Sequence, residues 1–168
     1  MAVSTNKAHP GAIYTPEQRR RRDASIWTLV QAVLAPLQFM VFIVSLALVV
    51  RFFVTGAGEL LAASSIVAKT AVLYTIMVTG AWWEKDVFGQ YLFAEPFYWE
   101  DVVSMAVMVL HTGYVVMLIG GFGSPATQFV VALVAYACYV VNAAQFFWKF
   151  RLARRHVERT VPRGLGAT

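Results

Sequence analysis

The chain has 168 residues, of which 59% are hydrophobic and 14% charged, with a net charge of +5. Soluble domains carry about a quarter charged residues, so this balance points to an integral membrane protein without a separate soluble domain. The one cysteine, Cys138, lies in an apolar run and excludes both an intramolecular disulfide and a thiolate metal cluster.

Residues 1–25 read as a polar, basic arm that ends in Arg19, Arg20, Arg21 and Arg22. The arm lacks the apolar core of a secretory signal. An arginine run directly before an apolar segment reads as a cytoplasmic anchor rather than a nucleic-acid patch. Residues 26–54 form the first expected span. A crossing needs only ~20 residues, so this one should tilt or extend into the interface, with a kink at Pro36. Thr28, Gln31, Ala35, Gln38, Phe42 and Ser45 follow helical spacing, a stripe suited to helix–helix hydrogen bonding or to substrate contact.

A glycine-punctuated turn at residues 55–59 leads to a second span over residues 60–82. Lys69 lies well inside it. An ammonium at that depth costs about 2.5–3.5 kcal/mol, so it should face protein, water or an acid, or else snorkel to a surface.

Residues 82–101, WWEKDVFGQYLFAEPFYWED, interrupt the apolar sequence and hold five of the nine acidic residues among many aromatics. Such a mixture suits the edge of a bilayer. Glu95-Pro96 should stop any helix there. A third span over residues 102–119 places Glu100, Ser104, Val107 and His111 on one face, with Asp101 on the adjoining one. After an uncharged turn, residues 126–148 form the fourth span, with a second polar stripe of Ala135, Cys138, Asn142, Gln145 and Lys149. The expected organisation is therefore all-α and polytopic. A basic arm (1–25) precedes four transmembrane helices (26–150), and a basic tail (151–168) follows. Five Lys/Arg in the arm and six from Lys149 onward predict both termini in the cytoplasm, and with them the acidic aromatic segment.

No phosphate-binding glycine loop, dinucleotide fingerprint, zinc spacing or nucleophile elbow is present. Two of the three histidines, His9 and His156, lie in the tails. What remains is carboxylates plus an intramembrane His and Lys. Glu84, Asp86, Glu100 and Asp101 flank the same ends of spans two and three. If they converge near low dielectric they cannot all stay ionised, which leaves a protonated acid beside an ionised base. The plainer reading is a solvated interfacial loop.

Six segments carry a resemblance to a known family: YTPEQRRRRDAS (14–25), LAPLQF (34–39), KTAVLYTIMVTG (69–80), WEKDVFGQYLFA (83–94), WEDVVSM (99–105) and LHTGY (110–114). In their order and combination the chain resembles the 3-vinyl bacteriochlorophyllide hydratases of bacteriochlorophyll synthesis, small membrane proteins of phototrophic bacteria. The resemblance implies addition of water across the C3 vinyl group of a chlorophyllide-type ring to give a 1-hydroxyethyl group. It also implies a multi-pass protein of the bacterial cytoplasmic or intracytoplasmic membrane. Its partners would be a Mg-tetrapyrrole and the bilayer, with a homo-oligomer or neighbouring pathway enzymes to help enclose a large ring, and no nucleic acid. No resident cofactor is expected, because magnesium arrives with the substrate.

For that chemistry Glu84 or Glu100 would donate the proton, and Asp86 or Asp101 would orient water. His111 would ligate the substrate magnesium or relay protons. Lys69, Trp83, Tyr91, Trp99 and Ser104 would contact the ring and its substituents. Two rivals differ in class: a non-enzymatic pigment-binding or assembly protein, and a small transporter using Lys69, His111 and the polar stripes as a path.

Overall fold

The computed structural model describes the backbone of residues 13–160 and the side chains of residues 13–151. Five helices follow one another: α1 (Pro16–Ala24), α2 (Ile26–Thr55), α3 (Glu59–Phe88), α4 (Tyr98–Gly120) and α5 (Pro125–Thr160), with a 3-10 turn, Glu95–Phe97, leading into α4. Four helices are long and apolar enough to cross a membrane. Leu60, Val54 and Ile119, each about four-fifths exposed, show the apolar outer surface that lipid would cover.

The arm holds a helix that the sequence reading left out. Thr15 and Gln18 close a reciprocal capping box, Pro16 occupies the first turn, and Glu17 pairs with Arg21. Ser25 ends α1 and caps α2 through the Trp27 amide. The acidic aromatic segment is also more helical than expected. α3 runs on through Phe88, and Gly89, at φ 87, closes it with a bond to the Lys85 carbonyl. A left-handed residue of this kind favours glycine, and it leaves only residues 89–94 outside helix. Pro96 then sits where a helix begins rather than where one ends. Pro36 lies within an unbroken helical assignment, and α5 continues beyond Arg151, into the region read as tail. The tail beyond Thr160 and residues 1–12 lie outside the described residues.

α2 packs along α3 and α4 along α5, and the two hairpins meet less extensively, α3 against α4 and α5 and α2 against α5. The core between them is built from Phe42, Ile66, Val107, Phe129 and Tyr136 and their neighbours. Three members of the polar stripe of α2 are spent on neighbours, while buried Gln38 leaves its Oε1 unpaired. Thr28 accepts from the Trp83 indole, Gln31 donates to Thr79, and Ser45 bonds both Ser65 and Tyr136. Ala35, counted in that stripe, is exposed.

α2 and α3 are 30 residues each. At 1.5 Å per residue that is about 45 Å, against ~30 Å of hydrocarbon, so their ends project into the interfacial layer or the helices tilt. α1, the start of α2, the end of α3, the 89–97 connection and Lys149 of α5 all gather at one end of the bundle. Ser25 donates to Asp86, Phe97 packs on Tyr14 and Phe146, and Lys149 bonds Glu100.

Candidate functional site

At this end the last turns of α3 and the first turn of α4 bring two acids together. Glu84 and Asp101 are each only 4% exposed, and their carboxyl groups lie close enough to repel one another when both are charged. The short connection above them supplies two successive backbone donors. The Phe93 amide donates to Asp101 at 2.8 Å, and the Ala94 amide donates to Glu84 at 3.1 Å. Phe93 adopts φ 59 to do so, the one left-handed non-glycine among the described residues. Two carboxyl groups this close and this buried resist being ionised at the same time. The pair is therefore built to hold one proton and one negative charge, the arrangement an acid–base step requires.

The other two acids stand differently. Glu100 turns toward α5, where Lys149 reaches its carboxylate at 2.6 Å and also bonds the Pro96 carbonyl. Asp86 is exposed and accepts from Ser25 at 2.7 Å. The convergence expected of four carboxylates is thus a pair, one ion-paired acid and one surface acid.

Aromatic side chains roof the end. Tyr14 is buried against Phe88 and Phe97, with the Arg22 guanidinium over its ring. Burial pushes its hydroxyl up to about 12. Trp83 is half-buried, edge-on to Phe88 and Phe97. Tyr91 and Trp99 are exposed, Tyr91 beneath Lys85 and Trp99 against Tyr98. Ser104 is buried and accepts from Asn142 of α5 at 2.7 Å.

Lys69 and His111 form a separate centre. His111 lies ten residues beyond Asp101 on α4, about 15 Å deeper. Both side chains are fully buried, with Lys69 Nζ 3.1 Å from His111 Nε2. His111 Nδ1 faces the Val107 carbonyl at 2.8 Å. A carbonyl only accepts, so Nδ1 carries the proton and Nε2 accepts from the lysine. Tyr139 and Tyr136 surround the Nζ at 4.2 and 5.2 Å from their ring centroids. As placed, neither ring nitrogen of His111 is open to a magnesium ion, and Lys69 Nζ is committed inside the bundle. The face of α4 that carries Glu100, Ser104, Val107 and His111 is buried along its length, but it serves two centres rather than one.

Sequence reasoning missed the partners of the acids. Lys149 stood in the α5 polar stripe, and its match with Glu100 needed the α4–α5 pairing. The two backbone donors carry no side-chain signal at all. For α1 the missed signal was the Thr15–Gln18 spacing with Pro16 between, a capping-box pattern that the sequence reading did not use.

The arrangement is that of a small polytopic membrane protein with a buried carboxyl pair at one rim of a four-helix bundle. A family model described as 2-vinyl bacteriochlorophyllide hydratase matches residues 14–152. A relative of that name from Rhodobacter capsulatus is 62% identical over 143 residues, covering 85% of this chain and 83% of its own length. Another of the same name, from Cereibacter sphaeroides, is 58% identical over 146 residues, covering 87% and 91%. The chain belongs to the 2-vinyl bacteriochlorophyllide hydratase family; this name and the 3-vinyl name differ only in wording. No solved structure matches it.

Proposed function

We propose that the chain adds water to the C3 vinyl group of a chlorophyllide or bacteriochlorophyllide, giving the 3-(1-hydroxyethyl) derivative, with Glu84 and Asp101 as the acid–base pair. The observation that carries this reading is the buried pair held by successive amides in a member of this family.

A vinyl carbon is a weak base, so the enzyme must deliver a proton. Glu84 protonates the terminal carbon and leaves a cation on the inner carbon, conjugated with the macrocycle. Water attacks that carbon, and Asp101 takes the proton that the bound water loses. One proton enters and one leaves, so the pair ends with the count it started with. Carbon is neither oxidised nor reduced overall, so the step calls for no resident redox cofactor, and magnesium travels with the substrate. The half-buried Trp83 ring and the exposed Tyr91 and Trp99 give a flat ring apolar surfaces at this end of the bundle.

The rim that carries the pair faces the cytoplasm in this reading. The Arg19–Arg22 run and Lys149 lie at the same end, and lysine and arginine gather on the cytoplasmic side of a cytoplasmic or intracytoplasmic membrane. The substrate, dissolved in lipid, would enter sideways at this level, where a second copy of the chain or a neighbouring pathway enzyme could hand it over. The test is single replacement, Glu84→Gln and Asp101→Asn, in membranes matched for protein level. Loss of hydration in both is expected, and full activity in either removes that residue from its role.

A further inference from the structure

The two amides that hold the acid pair come from adjacent residues, and they reach it because Phe93 takes a left-handed conformation. Successive backbone N–H groups around a left-handed residue form a concave donor site for negative charge. Strained non-glycine backbone of this kind persists where the surroundings over-determine it, and it clusters at functional sites. The surroundings here are firm on one side. Ala94 is fully buried, its carbonyl accepts the Phe97 amide, and Phe97 is locked in the aromatic cluster beneath α1. On the other side Gly89 has already turned the chain. Phe93's own ring is 37% exposed and lies against the Tyr98 ring.

We infer that Phe93 is a positioning residue for the hydration reaction, acting through its left-handed backbone, which aims the Phe93 and Ala94 amides at Asp101 and Glu84. The inference rests on the acid-pair reading above. Its consequence is unusual for a phenylalanine beside an aromatic-binding site: the backbone angle matters, and the ring does not.

Residues can be sorted by their tolerance of that angle. Glycine and asparagine adopt it readily, whereas valine, branched at Cβ, resists it. Phe93→Gly and Phe93→Asn are therefore expected to keep kcat within about threefold of the parent and to keep the same pH profile, despite losing the ring. Phe93→Val is expected to lower kcat about 10- to 100-fold, the scale of a misplaced catalytic group. Its KM should change little and its pH–rate profile should move, because the amides no longer hold the carboxyls in register. Equal loss in the glycine, asparagine and valine variants would assign the role to the ring and overturn the inference. A valine variant with the parent's kcat and pH profile would overturn it too. Glu84→Gln and Asp101→Asn are measured alongside. If these retain full activity, the acid-pair reading itself has failed, and if they alone are inactive, only the Phe93 inference has.

Discussion

Asp86 lies two residues after Glu84, or about 200° around α3, so one helix cannot present both acids to the same neighbour. Glu100 and Asp101 differ by about 100°, enough to aim one at α5 and the other at α3. Replacing Glu84 by Gln or Asp101 by Asn should each lower the rate of hydration by about 10²- to 10⁴-fold, the usual worth of a general acid or base. Asp86→Asn should stay within about threefold, and assays of product formed per unit of membrane protein distinguish the two outcomes. The four carboxylates and their end of the bundle were legible from spacing alone. Which two of them meet was not, because that depends on helix rotation and on amides that any residue could have supplied. Glu100 belongs with Lys149, and replacing Lys149 by Met strands a nearly buried carboxylate. The expected cost is about 1.5–3 kcal/mol, the range for a hydrogen bond to a charged group, read as a shift in the unfolding midpoint in detergent.

At the scale of elements, the Lys69–His111 contact joins α3 to α4 in the interior, beside the Tyr74–Thr112 hydroxyl bond nearer the surface. The sequence left the deep lysine to protein, water or an acid, or to snorkelling, and a neutral imidazole with an open Nε2 supplies its acceptor. Removing only one partner leaves a buried polar group unpaired, at about 1–3 kcal/mol. His111→Leu and Lys69→Met should each destabilise the bundle, and the double variant should lose less than the sum of the two, as a double-mutant cycle of unfolding would show. The double variant should still hydrate substrate within a few-fold, since the pair is about 15 Å from the acids.

α1 has its own signature. The hydroxyl of Tyr14, two residues before it, is held at about 12, against ~10 for a free phenol, so the docked arm favours the protonated form. Docking should be undiminished below pH 10 and weaken as the pH rises through 12, while Tyr14→Phe should not show that transition. Fluorescence of Trp83, which lies against the same aromatic cluster, is the measurement.

For the whole molecule, composition and the apolar runs made four spans plain, and the Lys/Arg bias suggested which end faces the cytoplasm. Helix ends were less legible. The aromatic, acidic stretch looked like a loop because charged residues, Gly89 and Pro96 interrupt the apolar run, yet α3 continues through Phe88 since its last turns still bury Glu84 and Val87 against neighbours. That extension carries Glu84 to Asp101 and makes the site.

The most direct test supplies 3-vinyl chlorophyllide, in heavy-oxygen water, to membranes of a host that makes no bacteriochlorophyll and expresses this chain. The expected product has gained one water, with the label on the carbon attached to the ring, and the gain vanishes in Glu84→Gln and Asp101→Asn. A vinyl group left intact by the parent chain, or water gained undiminished by both variants, would contradict the acid pair as the seat of hydration.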